Sequence, residues 1–434
     1  MLYDHTIHAG FFDKENFLGI SRDFFQHTVL RAHDLMDEIA TEFKAGALPW
    51  LELPNQETLA SICEIAEQLK GRYKNILILG MGGASLCGQV LVSLMRRPFA
   101  PYGKMPRIYF VDTLDPSAIT DLYCQINPRE TAFVVISKSG TTVETLTQLS
   151  LFYTFTKEVT GAEPQPGQFM MISDPKPSPL RDFAEAIKAR VEDHRPEVGG
   201  RFAIFTNVGL LPAAIASMNI QNVCEGANET LAHCLKGTSQ SVIEGAAMHV
   251  VMLERGIQQS VMMSYSDGLL GLVDWVRQLI AESLGKGGKG ITPIKAKGTM
   301  DQHSQLQLFL DGPKDKWFTV LRGVPIIPHL EIEIPKQCKP WDNGLVGSTL
   351  AEVVEIEYQA TVNALLTKGC PLRTINCGYL DEYRIGALAM HFMLETMLVA
   401  KLMNINAYDQ PAVEIGKRFA LDLLAQKARE RTHV

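Results

Sequence analysis

From Ser137 to Thr142 the chain reads Ser-Lys-Ser-Gly-Thr-Thr, which sets four hydroxyls and one ammonium within six residues. Hydroxyl donors beside Lys138, with Gly140 letting the main chain approach a ligand closely, suit a phosphate monoester better than a carboxylate. Ser137, Ser139, Thr141 and Thr142 are the candidate donors, and an ST-turn that only caps a helix is the plainer reading of the same residues. In WVRQLIAESLGKGGKG, Glu282 falls in the last turn of a helix that Gly285 ends. The helix dipole disfavours an anion there by about a few tenths of a kcal/mol, so the position suits either a general base or an exposed surface glutamate. Lys417, in PAVEIGKRFALDLLAQ, projects onto an apolar side with Val413, Leu421 and Leu424, where a lysine either snorkels or works. Arg201 follows Gly199 and Gly200 on a tight turn, placed for ion pairing or for oxyanion stabilisation. His303, in TMDQHSQLQLF, is a lone histidine, structural or catalytic. Proton abstraction next to a carbonyl needs a carboxylate base, a cation for the developing oxyanion and an acid and base pair, and these residue types supply that chemistry without a metal.

The elements that must position them alternate. NILIL (75–79) is a buried strand that runs directly into Gly80-Met81-Gly82-Gly83-Ala84-Ser85, with a helix from Leu86. RIYFV (107–111) leads to a helix from Pro116, FVVIS (133–137) to one from Thr142, and QFMMIS (168–173) to one from Pro179. RFAIFT (201–206) reads as a fifth strand, with a helix toward Met218. Such alternation predicts a parallel, doubly wound α/β sheet, with ligands beyond the carboxyl ends of the strands. The glycine turn lacks the third glycine of GxGxxG, and Asp112 leads into the Pro116 turn, which argues against a nicotinamide cofactor. A second round follows: a helix over 240–255, VMMSY (261–265), a helix through Leu270, Val273, Val276 and Ile280, WFTVL (317–321), a helix from Ala351 to Leu366, and RTINCGYL (373–380). Residues 15–43 and 57–70 carry helical spacing. The expected division is a helical extension over 1–50, one α/β domain over 51–222, a second over 223–400, and a C-terminal helix over 401–434.

A chain of 434 residues holds about two to three domains. The net charge of −7 comes with no basic stripe, which argues against a nucleic-acid partner. Eight cysteines stand without a CxxC pair or zinc spacing, as expected of reduced thiols in the cytoplasm. Asp4, Asp13 and Glu15 argue against a signal peptide. The apolar stretch from Gly386 to Asn404 is interrupted by His391, Glu395 and Lys401, so a core helix is expected there, and no membrane partner.

GMGGAS, VVISKSGTTVET, VGGRFAIFTNVGLLPA, QLIAESLGK, GTMDQHSQLQLFLDGP and YDQPAVEIGKRF, spanning residues 80 to 418, resemble the successive signature motifs of the glucose-6-phosphate isomerase family. The resemblance implies two sugar-isomerase (SIS) domains, a homodimer with shared active sites, no cofactor, and interconversion of glucose 6-phosphate and fructose 6-phosphate through a cis-enediolate. By motif position Glu282 resembles the base that moves the proton between C1 and C2, and Arg201 the enediolate-stabilising arginine. His303, contributed by the partner subunit in this family, and Lys417 resemble the ring-opening pair. Gln278 and Gln410 resemble polar groups lining the site, with Gly82 and Gly83 in its first loop. Ser137, Lys138, Ser139, Thr141 and Thr142 resemble the phosphate grip, with Ser85 an addition. Two positions depart from the family pattern: Ala84 stands where many members have serine, and Leu284 follows the Glu282-Ser283 pair where a small or polar residue is usual. A relative that also accepts mannose 6-phosphate, or a sugar-phosphate sensor without catalysis, would share the phosphate loop.

Overall fold

The computed structural model describes residues 2–8, 20–95, 105–324, 330–335 and 344–432. Ten strands and fourteen α-helices are seen among them. They run β1 (Asp4–Ile7), α1 (Arg22–Lys44), α2 (Gln56–Arg72), β2 (Asn75–Leu79), α3 (Gly83–Met95), β3 (Arg107–Val111), α4 (Pro116–Gln125), β4 (Thr131–Ile136), α5 (Val143–Thr160), β5 (Phe169–Ser173), α6 (Pro179–Ala186), β6 (Arg190–Asp193), α7 (Asn207–Ile215) and α8 (Ile220–Leu235). The second half runs α9 (Gln240–Glu254), β7 (Gln259–Ser264), α10 (Leu270–Leu284), β8 (Thr292–Lys297), α11 (Leu306–Asp311), β9 (Lys316–Val324), α12 (Leu350–Thr367), β10 (Leu372–Tyr379), α13 (Glu382–Leu402) and α14 (Val413–Thr432).

Two sheets result. The first has the order β3-β2-β4-β5-β6 and is parallel throughout. The second has the order β1-β10-β9-β7-β8, parallel except for β1, which pairs antiparallel with β10. The two faces of the first sheet separate by strand alternation. Ile76, Ile78, Val134 and Ile136 join a central core. Leu77, Leu79, Phe133 and Val135 pack under α5 in a smaller outer core with Leu149 and Phe152. The central core continues into the second sheet through Met262, Trp317, Leu321 and Ile375, so one apolar body unites both sheets.

α13 is the core helix expected between Gly386 and Asn404, and it is the one helix among the described residues long and apolar enough to cross a membrane. It is buried almost all round. Its charged interruptions are satisfied: Arg373 makes a two-pronged ion pair with Glu395 at 2.7 and 2.8 Å, and His391 meets the same carboxylate at 2.9 Å. The Tyr3 hydroxyl closes the chain of contacts at 2.7 Å from the His391 Nδ1, so β1 is fastened to the core by more than its ladder.

Three short edge strands, β1, β6 and β8, were not expected from the sequence. Arg190-Val191-Glu192-Asp193 and Thr292-Pro293-Ile294-Lys295-Ala296-Lys297 are too polar to read as strands, and that polarity suits a sheet edge. The expected strand over 201–206 is a 3₁₀ helix, Gly200–Phe205. Residues Arg201 to Phe205 are all buried there, and a short apolar run buried on every side shows no period that separates helix from strand. The expected helix from residue 15 is seen from Arg22, its first five residues lying outside the described ones. The expected boundaries at 222/223 and 400/401 fall inside α8 and α13.

Candidate active site

β2 and β4 are parallel neighbours, and the loops beyond their carboxyl ends touch: a Cβ on Gly80 would lie 3.1 Å from the Ile136 carbonyl oxygen. After β4, Gly140 takes a positive φ of 65°, and a side chain there would strike the Ser178 hydroxyl. The turn it permits brings Ser137 Oγ to 2.9 Å from Thr142 Oγ1 and lets Ser139 accept from the Thr141 hydroxyl at 2.9 Å. Thr142, and not Thr141, is the N-cap of α5, and its side chain makes no capping bond. The ST-turn is also present, since Thr141 N donates to Ser139 Oγ at 3.2 Å. Burial pushes the half-buried Lys138 ammonium below its usual range, while the carboxylates of Asp174 and Glu197 oppose that shift.

After β2, Gly82 takes a φ of 58°, and a Cβ on it would lie 3.0 Å from the Gln278 amide nitrogen. A Cβ on Gly83 would lie 2.2 Å from the Gly200 carbonyl oxygen, so only glycine lets the start of α3 meet the turn that carries Arg201. Ser85 has a different place from the one expected. It is fully buried, accepts from Gln89 Nε2 at 2.8 Å and lies 3.4 Å from Asp112, facing a carboxylate and not the loop.

Glu282 stands in the last turn of α10, which Gly285 caps as expected. Gln278, one turn back, donates to Glu282 Oε1 at 2.9 Å, while its own carbonyl oxygen is buried without a partner. Arg201 donates from Nη1 to Glu282 Oε2 at 3.1 Å and to Gln410 Oε1 at 2.8 Å. Its Nε donates to Ser283 at 2.8 Å, and its Nη2 to the carbonyl oxygens of Ala407 and Asp409. Trp275 donates to the Arg201 carbonyl at 2.8 Å. All five N–H groups of the guanidinium are therefore engaged. Ser283, Trp275 and Asp409 were not anticipated as its partners, although Ser283 and Asp409 adjoin Glu282 and Gln410 in sequence.

His303 and Lys417 are not hydrogen-bonded to this group. His303 is exposed on the turn after β8. Lys417 pairs with Glu414 at 2.6 Å, and the expected apolar side around it is unpacked, with Val413, Leu421 and Leu424 about half exposed along α14. Among the described residues nothing packs closely on the apolar side onto which Lys417 projects.

Two sheets, parallel but for the edge strand β1, with a hydroxyl loop and a glycine loop at adjacent strand ends and the Arg201–Glu282 pair beside the glycine loop, define an α/β sugar-phosphate isomerase fold. The family model described as phosphoglucose isomerase matches residues 63–313. Glucose-6-phosphate isomerase of Rubrobacter xylanophilus is 34% identical over 404 residues, covering 88% of this chain and 92% of that one. The enzyme of the same name from Carboxydothermus hydrogenoformans is 34% identical over 409 residues, covering 89% and 86%. Among solved structures, a hypothetical protein from Thermus thermophilus superposes with a TM-score of 0.83 at 30% identity, covering 93% of this chain and 98% of that one. A glucose-6-phosphate isomerase from Chlamydia trachomatis shares the fold at a TM-score of 0.71 and 20% identity, covering 86% and 74%. The chain belongs to the phosphoglucose isomerase family.

Proposed function

We propose that this enzyme interconverts D-glucose 6-phosphate and D-fructose 6-phosphate, a step shared by glycolysis and gluconeogenesis, through a cis-enediolate. The observation that carries the reading is the placing of a carboxylate, Glu282, against a buried arginine and a glutamine at the strand ends. Glu282 removes the proton from C2 of the open-chain aldose and returns it to C1. The negative charge that develops on the C1 and C2 oxygens is met by Arg201 and by the N-terminal N–H groups of α3 beyond Gly82 and Gly83. Gln278 holds the Glu282 carboxylate in register. Ser137, Lys138, Ser139, Thr141 and Thr142 grip the phosphate, which is distant from the reacting carbons. Ser85 stands behind the first loop as a support.

Ring opening needs an acid and a base, for which His303 and Lys417 are the candidates. Both are exposed in the single chain, and α14 presents Ile415, Phe419, Leu421 and Leu423 unpacked. This supports a homodimer in which α14 packs against a second copy and His303 enters the neighbour's site. Seven described cysteines are free thiols, in keeping with a cytoplasmic enzyme acting on a charged metabolite.

An assay of the purified protein with glucose, mannose and glucosamine 6-phosphates tests the reading. Conversion of glucose 6-phosphate to fructose 6-phosphate is expected. Additional turnover of mannose 6-phosphate would widen the specificity to C2 epimers, and no turnover of any of them would return the fold to a binding role.

A further inference from the structure

The segment from Met403 to Gln410 joins α13 to the exposed helix α14, and three cations stitch it to the body. Lys289 donates to the Met403 carbonyl at 2.7 Å. Lys286 donates to the Asn406 carbonyl and lies 2.8 Å from the Asp409 carboxylate. Arg201 donates to the carbonyls of Ala407 and Asp409 and to the Gln410 side chain. Midway, Tyr408 packs against Trp50 with ring centroids 4.0 Å apart and the ring planes tilted by 37°. Both lysines stand in the glycine loop that ends α10, a few residues past Glu282.

Arg201 Nη1 serves Glu282 and Gln410 together. With every N–H of the guanidinium engaged, a developing oxyanion gains a donor only if one present acceptor withdraws. Ser283 and Ala407 are buried, whereas Gln410 is an exposed side chain at the end of the segment. We propose that residues 403–410 form a positioning strap for the Arg201–Glu282 pair, and that Lys286, through Asp409, is the latch that holds Gln410 where it can yield an Arg201 donor to the substrate. Lys286 acts on the reaction through Gln410 and Arg201 and touches no reacting atom. This rests on the isomerase reading above.

The test compares Lys286→Met, Asp409→Asn, the double variant and Lys286→Arg in the full-length protein. Two readouts are taken: steady-state kinetics with glucose 6-phosphate, and acrylamide quenching of the part of the tryptophan fluorescence that Trp50→Phe removes. Lys286→Met is expected to lower kcat about tenfold or more with KM within about threefold, because misplacement of the pair is felt at the transition state. It should also raise Trp50 quenching as Tyr408 loosens. Asp409→Asn should give a similar loss, the double variant should be no worse than Lys286→Met alone, and Lys286→Arg should restore most of the activity. Parental kcat in Lys286→Met, additive losses in the double variant, or unchanged Trp50 quenching would each overturn the proposal. An inactive parental protein strikes at the isomerase reading instead, and the strap then stands or falls on the quenching alone.

Discussion

Arg201 Nη1 lies 3.1 Å from Glu282 Oε2, the arginine side chain 1% exposed and the glutamate 30% exposed. A buried cation thus meets a carboxylate that opens toward solvent, which is the arrangement a base beside an oxyanion needs. Arg201→Lys should keep the charge and lose the fork, leaving the Ala407 and Asp409 carbonyls and Ser283 without their shared donor. Turnover is expected to fall by about 10²-fold, on the scale of losing one oxyanion donor. A lysine variant within about threefold of the parent would show that charge alone suffices.

The Ser137 and Thr142 hydroxyls meet at 2.9 Å over the start of α5. Inorganic phosphate and sulfate should compete with substrate there. Ser137→Ala combined with Thr142→Ala should raise KM more than it lowers kcat, since a phosphate remote from the reacting carbons is held similarly in ground and transition states. Equal losses in both constants would mean that the loop also sets the reacting end.

Stability should fall on acidification from an unusual source. Burial, reinforced by the Arg373 guanidinium, pushes His5 down to about 3, and burial pushes His249 down to about 4. Both therefore stay neutral in the folded chain over a range where the unfolded chain, titrating near 6.5, takes up protons. Their contribution is full above about pH 6.5 and is lost as pH drops toward 4 for His249 and toward 3 for His5, with a limiting slope of about 1.4 kcal/mol per pH unit for each histidine. Denaturant midpoints should decline over that window, and His5→Gln with His249→Gln should flatten the decline. An unchanged decline in the double variant would move the effect to other groups.

The exposed His303 calls for a test in mixtures. His303→Ala and Glu282→Gln proteins, each inactive, should regain up to about a quarter of parental activity after subunit exchange, because half the dimers are mixed and each mixed dimer has one intact site. No recovery despite exchange, followed by mass spectrometry of labelled subunits, would place the histidine in its own chain's site.

How far the sequence spoke depends on how local each feature is. β2 and β4 were legible because strands buried on both faces are unbroken apolar runs, and the glycine and hydroxyl loops announce themselves at their ends. The place of Glu282 before Gly285 followed from helix-end chemistry alone. Edge strands such as β6 carry the polarity of loops, and Arg201 to Phe205 form a turn of helix whose burial erases any period. Ser85 looked like part of the loop because only the fold shows that it faces Asp112. The strap was out of reach for a similar reason: Lys286 and Asp409 are far apart in sequence, and nothing local to either marks the other as its partner. For Lys417 helical periodicity gave an apolar side, and the described residues leave that side about half exposed.

The proposed role of Glu282 is to move a proton between neighbouring carbons of a sugar phosphate. It is tested most directly by running the reaction in deuterium oxide to many turnovers and reading C1 of fructose 6-phosphate and C2 of glucose 6-phosphate by NMR. Deuterium at both carbons is expected, entering at least about 10²-fold more slowly with Glu282→Gln while substrate binding stays within about threefold. Isomerisation with no solvent deuterium in either sugar, or exchange at the parental rate in Glu282→Gln, would contradict it.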